Sequence, residues 1–425
     1  MATQVELKVG PVLSFRGVTE QEGAVLWKVS ALVGVAAGTA VPRLRLADRE
    51  VAPPLLLAQR AGLQLLRYDF TVELADQERR IRYAVDGTGL SWEFTVPGKH
   101  RDVRTAYVSC NGFSDPRAMR KLSQKAGAVW QDLVSNHDRH LHPDAPVDKE
   151  QLWHLELGHG DKVQRFHVLV MGGDQLYFDS IWEDIPALKE WADLDRDAQL
   201  AYSVGPELER QIGDYYFATY CERWLKPSRG GWTAGTQERD CADAMARIPT
   251  IMMWDDHDIF DGWGSYTPQM QQCAVARTLF SHARQAFWVY QMQHRLDQLP
   301  PLEDRNGGFP AAFDAPQFKP IAWSQRLASD PLALPLLDDQ PGFNWGCQLG
   351  KVALLALDLR TERSRKQILC ELTWKAMQGW LDGLPPCSEA NPSSPKHLLV
   401  LSSVPVVHPK LKTADRKSTR LNSSH

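Results

Sequence analysis

The sequence predicts a mixed α+β protein built in layers, in which an N-terminal β-sandwich precedes a larger domain of alternating strands and helices. Over residues 1–100, short apolar or alternating runs are separated by Gly, Pro and Asp turns, and no helical period interrupts them. From about residue 104, apolar runs of strand length alternate with amphipathic segments of helical length. We therefore predict one domain over residues 1–100 and a second over residues 101–414.

The individual elements follow from periodicity and turn residues. Strands are predicted at 7–15, 23–33, 42–48, 63–74, 80–86 and 90–98, and Pro97-Gly98 marks the domain boundary. A helix is predicted from Pro268, with Thr267 as its N-cap and one apolar face that continues to Phe287. A second, shorter amphipathic helix is predicted over residues 371–384, and a long surface loop over residues 299–320.

Composition excludes several classes of protein. With 48 basic and 52 acidic residues, the net charge of -4 gives no electrostatic footprint for nucleic acid or for an anionic membrane. No uninterrupted apolar run is long enough for a transmembrane helix, and the N-terminus lacks the pattern of a signal peptide. Seven scattered cysteines without a CxxC pair indicate reduced thiols. These features together predict a cytoplasmic protein.

The last eleven residues, 415–425, read DRKSTRLNSSH and match the translation of a common sequencing-adaptor oligonucleotide. A natural polar tail is the alternative. We expect this segment to be foreign to the protein, which predicts that the native chain is truncated after Ala414.

Polar side chains follow each of five apolar runs that read as buried strands. The runs cover residues 105–108, 166–171, 248–254, 351–357 and 397–401, and Asp, His, Cys, Asn, Arg or Ser residues follow each of them within three positions. Ligands bind beyond the carboxyl ends of strands in open α/β sheets, so these endings predict a shared site.

The most informative ending is Asp255-Asp256-His257-Asp258. Like-charged carboxylates about 4 Å apart repel by roughly 1 kcal/mol in water and about 4 kcal/mol at an intermediate dielectric. A cation removes this penalty, and Asp and His are suitable ligands. A solvated acidic turn that caps the next helix is the alternative, which the preceding strand and the other four endings disfavour.

The ending Gly172-Gly173-Asp174 follows the same logic, because glycines let the backbone turn and place Asp174 where it can bridge two metals. Tyr177 is either a phenolate ligand, which would favour a trivalent metal, or a packed aromatic ring. Cys110 is either a thiolate ligand or a small buried hydrophobe, and a cysteine considered alone is more often buried.

The histidines at 137, 140 and 142 are consistent with a zinc cluster, but the Asp and Pro residues among them favour a solvated loop. A serine esterase is disfavoured because no GxSxG occurs, and a nucleotide-cradling loop because neither GxxxxGK[ST] nor GxGxxG occurs.

Four segments carry a family resemblance: Ser109-Cys110, the GDQLY segment at 173–177, the WDDHD segment at 254–258, and Asp358-Leu359-Arg360. In this order they resemble the successive motifs of PhoD-like (alkaline phosphatase D) metallophosphatases over about residues 104–407. The GDQLY and WDDHD segments are the specific ones. The resemblance implies a metallophosphoesterase-type β-sandwich core flanked by helices, with metals at the strand ends. Asp258 stands where the family commonly has Glu, and the family's late Gly-Asp-x-His-type segment does not occur.

The resemblance also implies roles and cofactors. Metal ligands would be Cys110, Asp174, Tyr177 and Asp255, and catalytic residues would be Asp256, His257 and Arg360, the last as a phosphate clamp. The metals would be iron with calcium or another divalent cation, and the substrate a small phosphate ester. The implied activity is hydrolysis of phosphoric monoesters or diesters by a metal-activated water. A catalytically incompetent metal-binding or regulatory protein on the same fold is the alternative.

Overall fold

The computed structural model describes residues 5–99, 101–111, 128–138, 156–157, 161–162, 165–224, 240–308, 318–388 and 394–404. These residues form a mixed α/β structure with several sheets, as the strand and helix patterns predict. The foreign tail predicted at 415–425 lies outside the described residues.

The first half of the chain supplies strands β1 to β8. Their bounds are Leu7–Gln21, Ala24–Ala36, Leu44–Leu46, Arg49–Glu50, Leu55–Arg60, Leu63–Glu73, Arg79–Val85 and Leu90–Val96. The remaining strands, β9 to β16, are Thr105–Val108, Glu156–Leu157, Asp161–Lys162, Val168–Met171, Thr250–Met252, Trp345–Leu349, Val352–Ala356 and His397–Leu401. The predicted strands are present, and β4, β5, β10, β11 and β14 are additional.

The described helices are numbered α1 to α10. They are Ala128–Asp138, Ile181–Asp184, Pro186–Ala192, Arg196–Ala201, Pro206–Arg223, Asp240–Arg247, Pro268–Gln272, Ala274–Tyr290, Trp323–Arg326 and Glu371–Asp382. Two single 3-10 turns cover Asp256–Asp258 and Leu296–Gln298. In the described part of the chain, no helix has both the length and the apolar character needed to cross a bilayer.

A seven-stranded sheet organises the centre of the molecule, in the order β5-β6-β2-β1-β13-β12-β9. The four strands on the β5 side pair antiparallel, whereas β1, β13, β12 and β9 run parallel. Every residue of β12 is buried, which is why its sequence is a continuous apolar run. The three-stranded sheet β14-β15-β16 has β15 and β16 parallel, and β3, β4, β7 and β8 form a further sheet.

The seven-stranded sheet extends across the predicted domain boundary at residue 100. Ser14 of β1 lies opposite Thr250 of β13, and the Thr250 hydroxyl donates to the Leu13 carbonyl over 2.7 Å. Buried apolar side chains from both stretches also belong to one continuous core. Strands from residues 1–100 and from the rest of the chain therefore share one sheet. That the two parts are separate domains stays a prediction.

Two local predictions need correction. The helix predicted from Pro268 is two helices, because the ψ of Cys273, 156°, is non-helical and separates α7 from α8. The Thr267 cap is confirmed, since its side chain accepts the Met270 N–H. His137 is not in a solvated loop: it is 2% exposed in α1, and its Nδ1 accepts the Phe166 N–H over 3.1 Å. Positions 140 and 142 lie outside the described residues.

Candidate active site

Three parallel strand ends meet at one edge of the seven-stranded sheet. Strand β9 leads into Cys110, β12 into Asp174 and β13 into Asp255. The first two loops are joined by backbone hydrogen bonds, from Cys110 N–H to the Gly173 carbonyl at 3.0 Å and from Asn111 N–H to the Asp174 carbonyl at 2.7 Å. Cys110 and Asp174 both have positive φ, 63° and 55°, which is uncommon outside glycine and frequent at functional sites.

Gly173 permits the close approach of the β12 and β13 loops. Its φ is 112°, and a Cβ at this position would lie 2.6 Å from the Asp255 Cβ and 3.2 Å from the Ser403 Cβ. No side chain fits in that space, so the glycine is needed both for conformation and for room. Ser403 follows β16, so the end of that strand reaches the same place.

Asp258 holds the loops together from inside. Its Oδ2 accepts the N–H of Asp174 at 2.8 Å and of Asp255 at 2.9 Å. Its Oδ1 accepts the Leu176 N–H at 3.2 Å and Gln291 Nε2 at 3.0 Å. The side chain is 1% exposed, so it is an internal acceptor that positions two carboxylates. A solvated turn that caps the next helix does not describe this buried residue, which instead accepts the Asp255 N–H at the start of its own 3-10 turn.

Ligand atoms of Asp174, Asp256 and His257 lie within 4.8 Å of one another. Cys110 Sγ is 3.4 Å from Asp174 Oδ2, and the Tyr177 ring stacks on the His257 ring with centroids 4.3 Å apart. Cys110 is exposed rather than buried, so the alternative of a small buried hydrophobe is wrong. All seven cysteines are free, as the sequence predicts.

Arg360 bridges the three-stranded sheet to the acidic loop after β13. Its Nε donates to Asp255 Oδ1, its Nη2 lies 3.2 Å from Asp256 Oδ1, and its Nη1 donates to the Trp263 carbonyl at 2.8 Å. Asp358, two residues earlier, accepts Trp254 Nε1 at 2.7 Å and is fully buried, so its role is structural.

The electrostatics of the cluster favour a bound cation. Burial, together with the charge of Asp255, raises the pKa of Asp174 to about 6. Burial also raises the pKa of Asp255 although Arg360 opposes the shift. Carboxylates held together against their own repulsion and out of water are stabilised by a cation, and the O, N and S donors present suit a hard or borderline metal.

His257 is held by a residue that the sequence did not indicate. Its Nδ1 is 2.6 Å from Asp179 Oδ2, and Asp179 Oδ1 accepts the Asp261 N–H at 2.7 Å. Burial lowers the pKa of His257, but the hydrogen bond and charge of Asp179 outweigh it and, with nearby carboxylates, raise the pKa to about 9. Asp179 lies in the loop that follows Asp174, and this position was the only feature of the sequence that could have indicated a place in the site.

The structure brings every predicted site residue to one sheet edge, linked by the contacts above: Cys110, Asp174, Tyr177, Asp255, Asp256, His257 and Arg360. The geometric group of metal donors differs from the predicted ligand set. It contains Asp256 and His257, whereas Asp255 is bound to Arg360. The individual roles stay predictions.

A family model described as PhoD related phosphatase matches residues 148–309. The resemblance to PhoD-like phosphatases is confirmed. The matched range includes Asp174, Tyr177 and the acidic run at 255–258, whereas Cys110 and Arg360 lie outside it. The chain is also similar to the uncharacterized protein YGR266W of Saccharomyces cerevisiae, with 26% identity over 360 residues. That alignment covers 81% of this chain and 43% of the yeast protein, so the chain spans less than half of its relative's length.

Proposed function

We propose that this protein is a metal-dependent phosphoric-ester hydrolase. The observation that carries the proposal is the convergence of the Asp174 and Asp256 carboxylates with His257 within 4.8 Å at the strand ends, where the carboxylates suit a cation and the imidazole suits proton transfer. The match to a phosphatase family over residues 148–309 supports the reaction class. We further propose that the parallel strands β9, β12 and β13 and the three-stranded sheet β14-β15-β16 belong to the sandwich of the metallophosphoesterase type, which the predicted 1–100 domain precedes.

In this proposal, Asp174 and Asp256 would hold the cation, and Cys110 and Tyr177 would complete an iron-type site with Asp174. A second cation, calcium or another divalent ion, would share Asp174. A cation bound here supplies Lewis-acid chemistry, lowering the pKa of water toward about 7 and offsetting phosphoryl charge.

Arg360 is the phosphate clamp. Its bonds to Asp255 and to the Trp263 carbonyl fix the guanidinium, and Nη2, which contacts Asp256, is the group that binds a phosphoryl oxygen. Asp255 thereby orients Arg360, and as a predicted ligand it would also help to hold a cation.

His257 is the proton donor to the leaving oxygen. The ring donates a hydrogen bond from Nδ1 to the Asp179 carboxylate, whose charge keeps the imidazole protonated and leaves Nε2 to deliver the proton. Stacking on Tyr177 fixes the plane of the ring.

The test is hydrolysis of an aryl phosphate monoester and a bis-aryl diester at neutral to alkaline pH. Activity should be lost with a chelator and regained with iron or calcium. Asp174→Ala should cost more than Cys110→Ala, because a shared carboxylate serves two ions and the thiolate one. Asp48→Ala, which removes an exposed carboxylate in the turn between β3 and β4, is the control.

Chelator-insensitive turnover would contradict the proposal. Cation binding that Asp174→Ala abolishes, without turnover of either ester, would instead support a metal-binding regulatory protein on this fold.

A further inference from the structure

A cavity of about 710 Å³ lies between α8 and residues 299–302, with Glu209 of α5 on its rim. Its lining includes Phe280, Ser281 and Arg284 and none of the residues of the carboxylate cluster. Phe280 stacks on Trp263 at 4.7 Å between ring centroids, and this stacked pair lies between the cavity and Arg360. The cavity is therefore a place separate from the proposed active site.

Arg284 is the unusual residue of this cavity. It is 4% exposed, its Nη1 donates to the Pro300 carbonyl at 2.7 Å, and its Cζ lies 5.0 Å from the centroid of the Phe343 ring. Its Nε and Nη2 are buried and have no hydrogen-bond acceptor in the described structure. Buried donors are normally satisfied, so this edge of the guanidinium calls for a partner.

The same edge binds carboxylates elsewhere in the molecule. Arg67 donates from Nε and Nη2 to the two oxygens of Asp69, both at 2.8 Å. Arg210 donates from the same two atoms to Glu207, at 3.1 and 2.7 Å. The edge formed by Nε and Nη2 thus presents two parallel donors that match an oxyanion.

The rest of the lining fits an organic anion. Arg277 and the Ser281 and Thr278 side chains lie on the same stretch of α8, and Phe280 and Leu302 supply apolar wall. Glu209 is the acidic residue among those that line the cavity. Cationic and hydroxyl groups beside an apolar wall suit a ligand with a charged oxygen group at one end and an apolar body.

We propose that this cavity binds a small organic oxyanion, a carboxylate or a phosphorus oxyanion with an apolar body, with Arg284 as the anchoring cation. The site is independent of the metal cluster. A ligand bound there would satisfy the Nε and Nη2 donors once the guanidinium turns this edge toward the cavity.

The experiment is isothermal titration of chelator-treated protein with phenylphosphonate and with benzoate, using neutral benzyl alcohol as the apolar control. We expect an anionic probe to bind and benzyl alcohol not to bind. The stronger of the two anionic probes identifies the headgroup class.

Two variants test the anchor. Arg284→Gln and Ser281→Glu should each weaken the binding by at least about tenfold, a difference of 1.4 kcal/mol or more. Ser281 is exposed, so a Glu there places a like charge at the cavity without disturbing the core. Ser91→Glu, the same substitution at an exposed position of β8, and Arg360→Ala should bind as the wild type does.

The inference is overturned if neither anion binds the wild type, or if both cavity variants bind as tightly as the wild type. Loss of binding in Arg360→Ala with retention in Ser281→Glu would place the anion at the carboxylate cluster and would also overturn it. None of these outcomes depends on phosphatase activity.

Discussion

The buried carboxylate of Asp258 accepts hydrogen bonds from four N–H groups, and Asp258→Asn replaces one of its two acceptor oxygens with an NH2 group. Oδ2 receives the Asp174 and Asp255 N–H groups, and Oδ1 receives the Leu176 N–H and Gln291 Nε2. An amide keeps one oxygen and places an NH2 group against the other pair of donors. Two donors then lose their partner inside a site that water does not reach.

The size of the effect follows from the cost of buried donors without acceptors. Each unsatisfied donor costs about 1–3 kcal/mol, so two cost roughly 2–6 kcal/mol in the free energy of unfolding. That is a large share of the roughly 5–15 kcal/mol by which domains are stable. The free energy of unfolding is measured by urea denaturation of the metal-free protein, with intrinsic tryptophan fluorescence as the readout.

Asp256→Asn is the matched control, because it is the same substitution two residues away. Its Oδ2 accepts the Gly262 N–H at 3.0 Å and its Oδ1 pairs with Arg360, and the residue is half-buried. We expect a loss of about 1 kcal/mol or less in the free energy of unfolding, and a large loss of cation affinity. Equal stability of Asp258→Asn and the wild type would refute the assignment of Asp258 as an internal acceptor.

Three further results are expected. Gly173→Ala should lower both stability and cation affinity, because the new Cβ would lie 2.6 Å from the Asp255 Cβ. Denaturation and calorimetric titration measure the two effects. Wild-type stability and affinity would contradict the close approach of the two loops. Asp179→Asn should move the pKa of His257 down from about 9 toward or below its ordinary 6.5, because burial then lowers the pKa without opposition from Asp179. NMR titration of the metal-free protein measures this pKa. An unchanged pKa would show that Asp179 does not raise it. Burial lowers the pKa of His294 to about 3, so between about pH 6.5 and 3 the unfolded chain binds a proton that the folded chain does not. The free energy of unfolding should therefore fall as the pH drops through this window, by about 2 kcal/mol from this residue between pH 6.5 and 5, and a flat profile in urea melts would be inconsistent with a buried neutral imidazole.

Element identity was largely predictable from the sequence because it depends on local patterns. The continuous apolar run of β12 and the alternating runs of the first 100 residues mark strands without knowledge of their partners. The Thr267 cap and the polar groups after each strand are likewise local features. The helix break at Cys273 was not predictable in this way, because the apolar periodicity continues through it.

The sequence by itself determined which residue types stand at the strand ends, and hence that Cys110, Asp174, the acidic run at 255–258 and Arg360 are candidates for one site. Only the tertiary structure decided which of these side chains face inward and which contact one another. Asp258 looks like its neighbours in sequence, yet the 3-10 turn directs it inward onto four N–H groups while Asp256 remains beside Asp174. Asp179 and His257 are 78 residues apart in the sequence, and Asp255 and Arg360 are 105 residues apart. Such pairings depend on which loops meet at the sheet edge, and a one-dimensional pattern of charges does not contain that information.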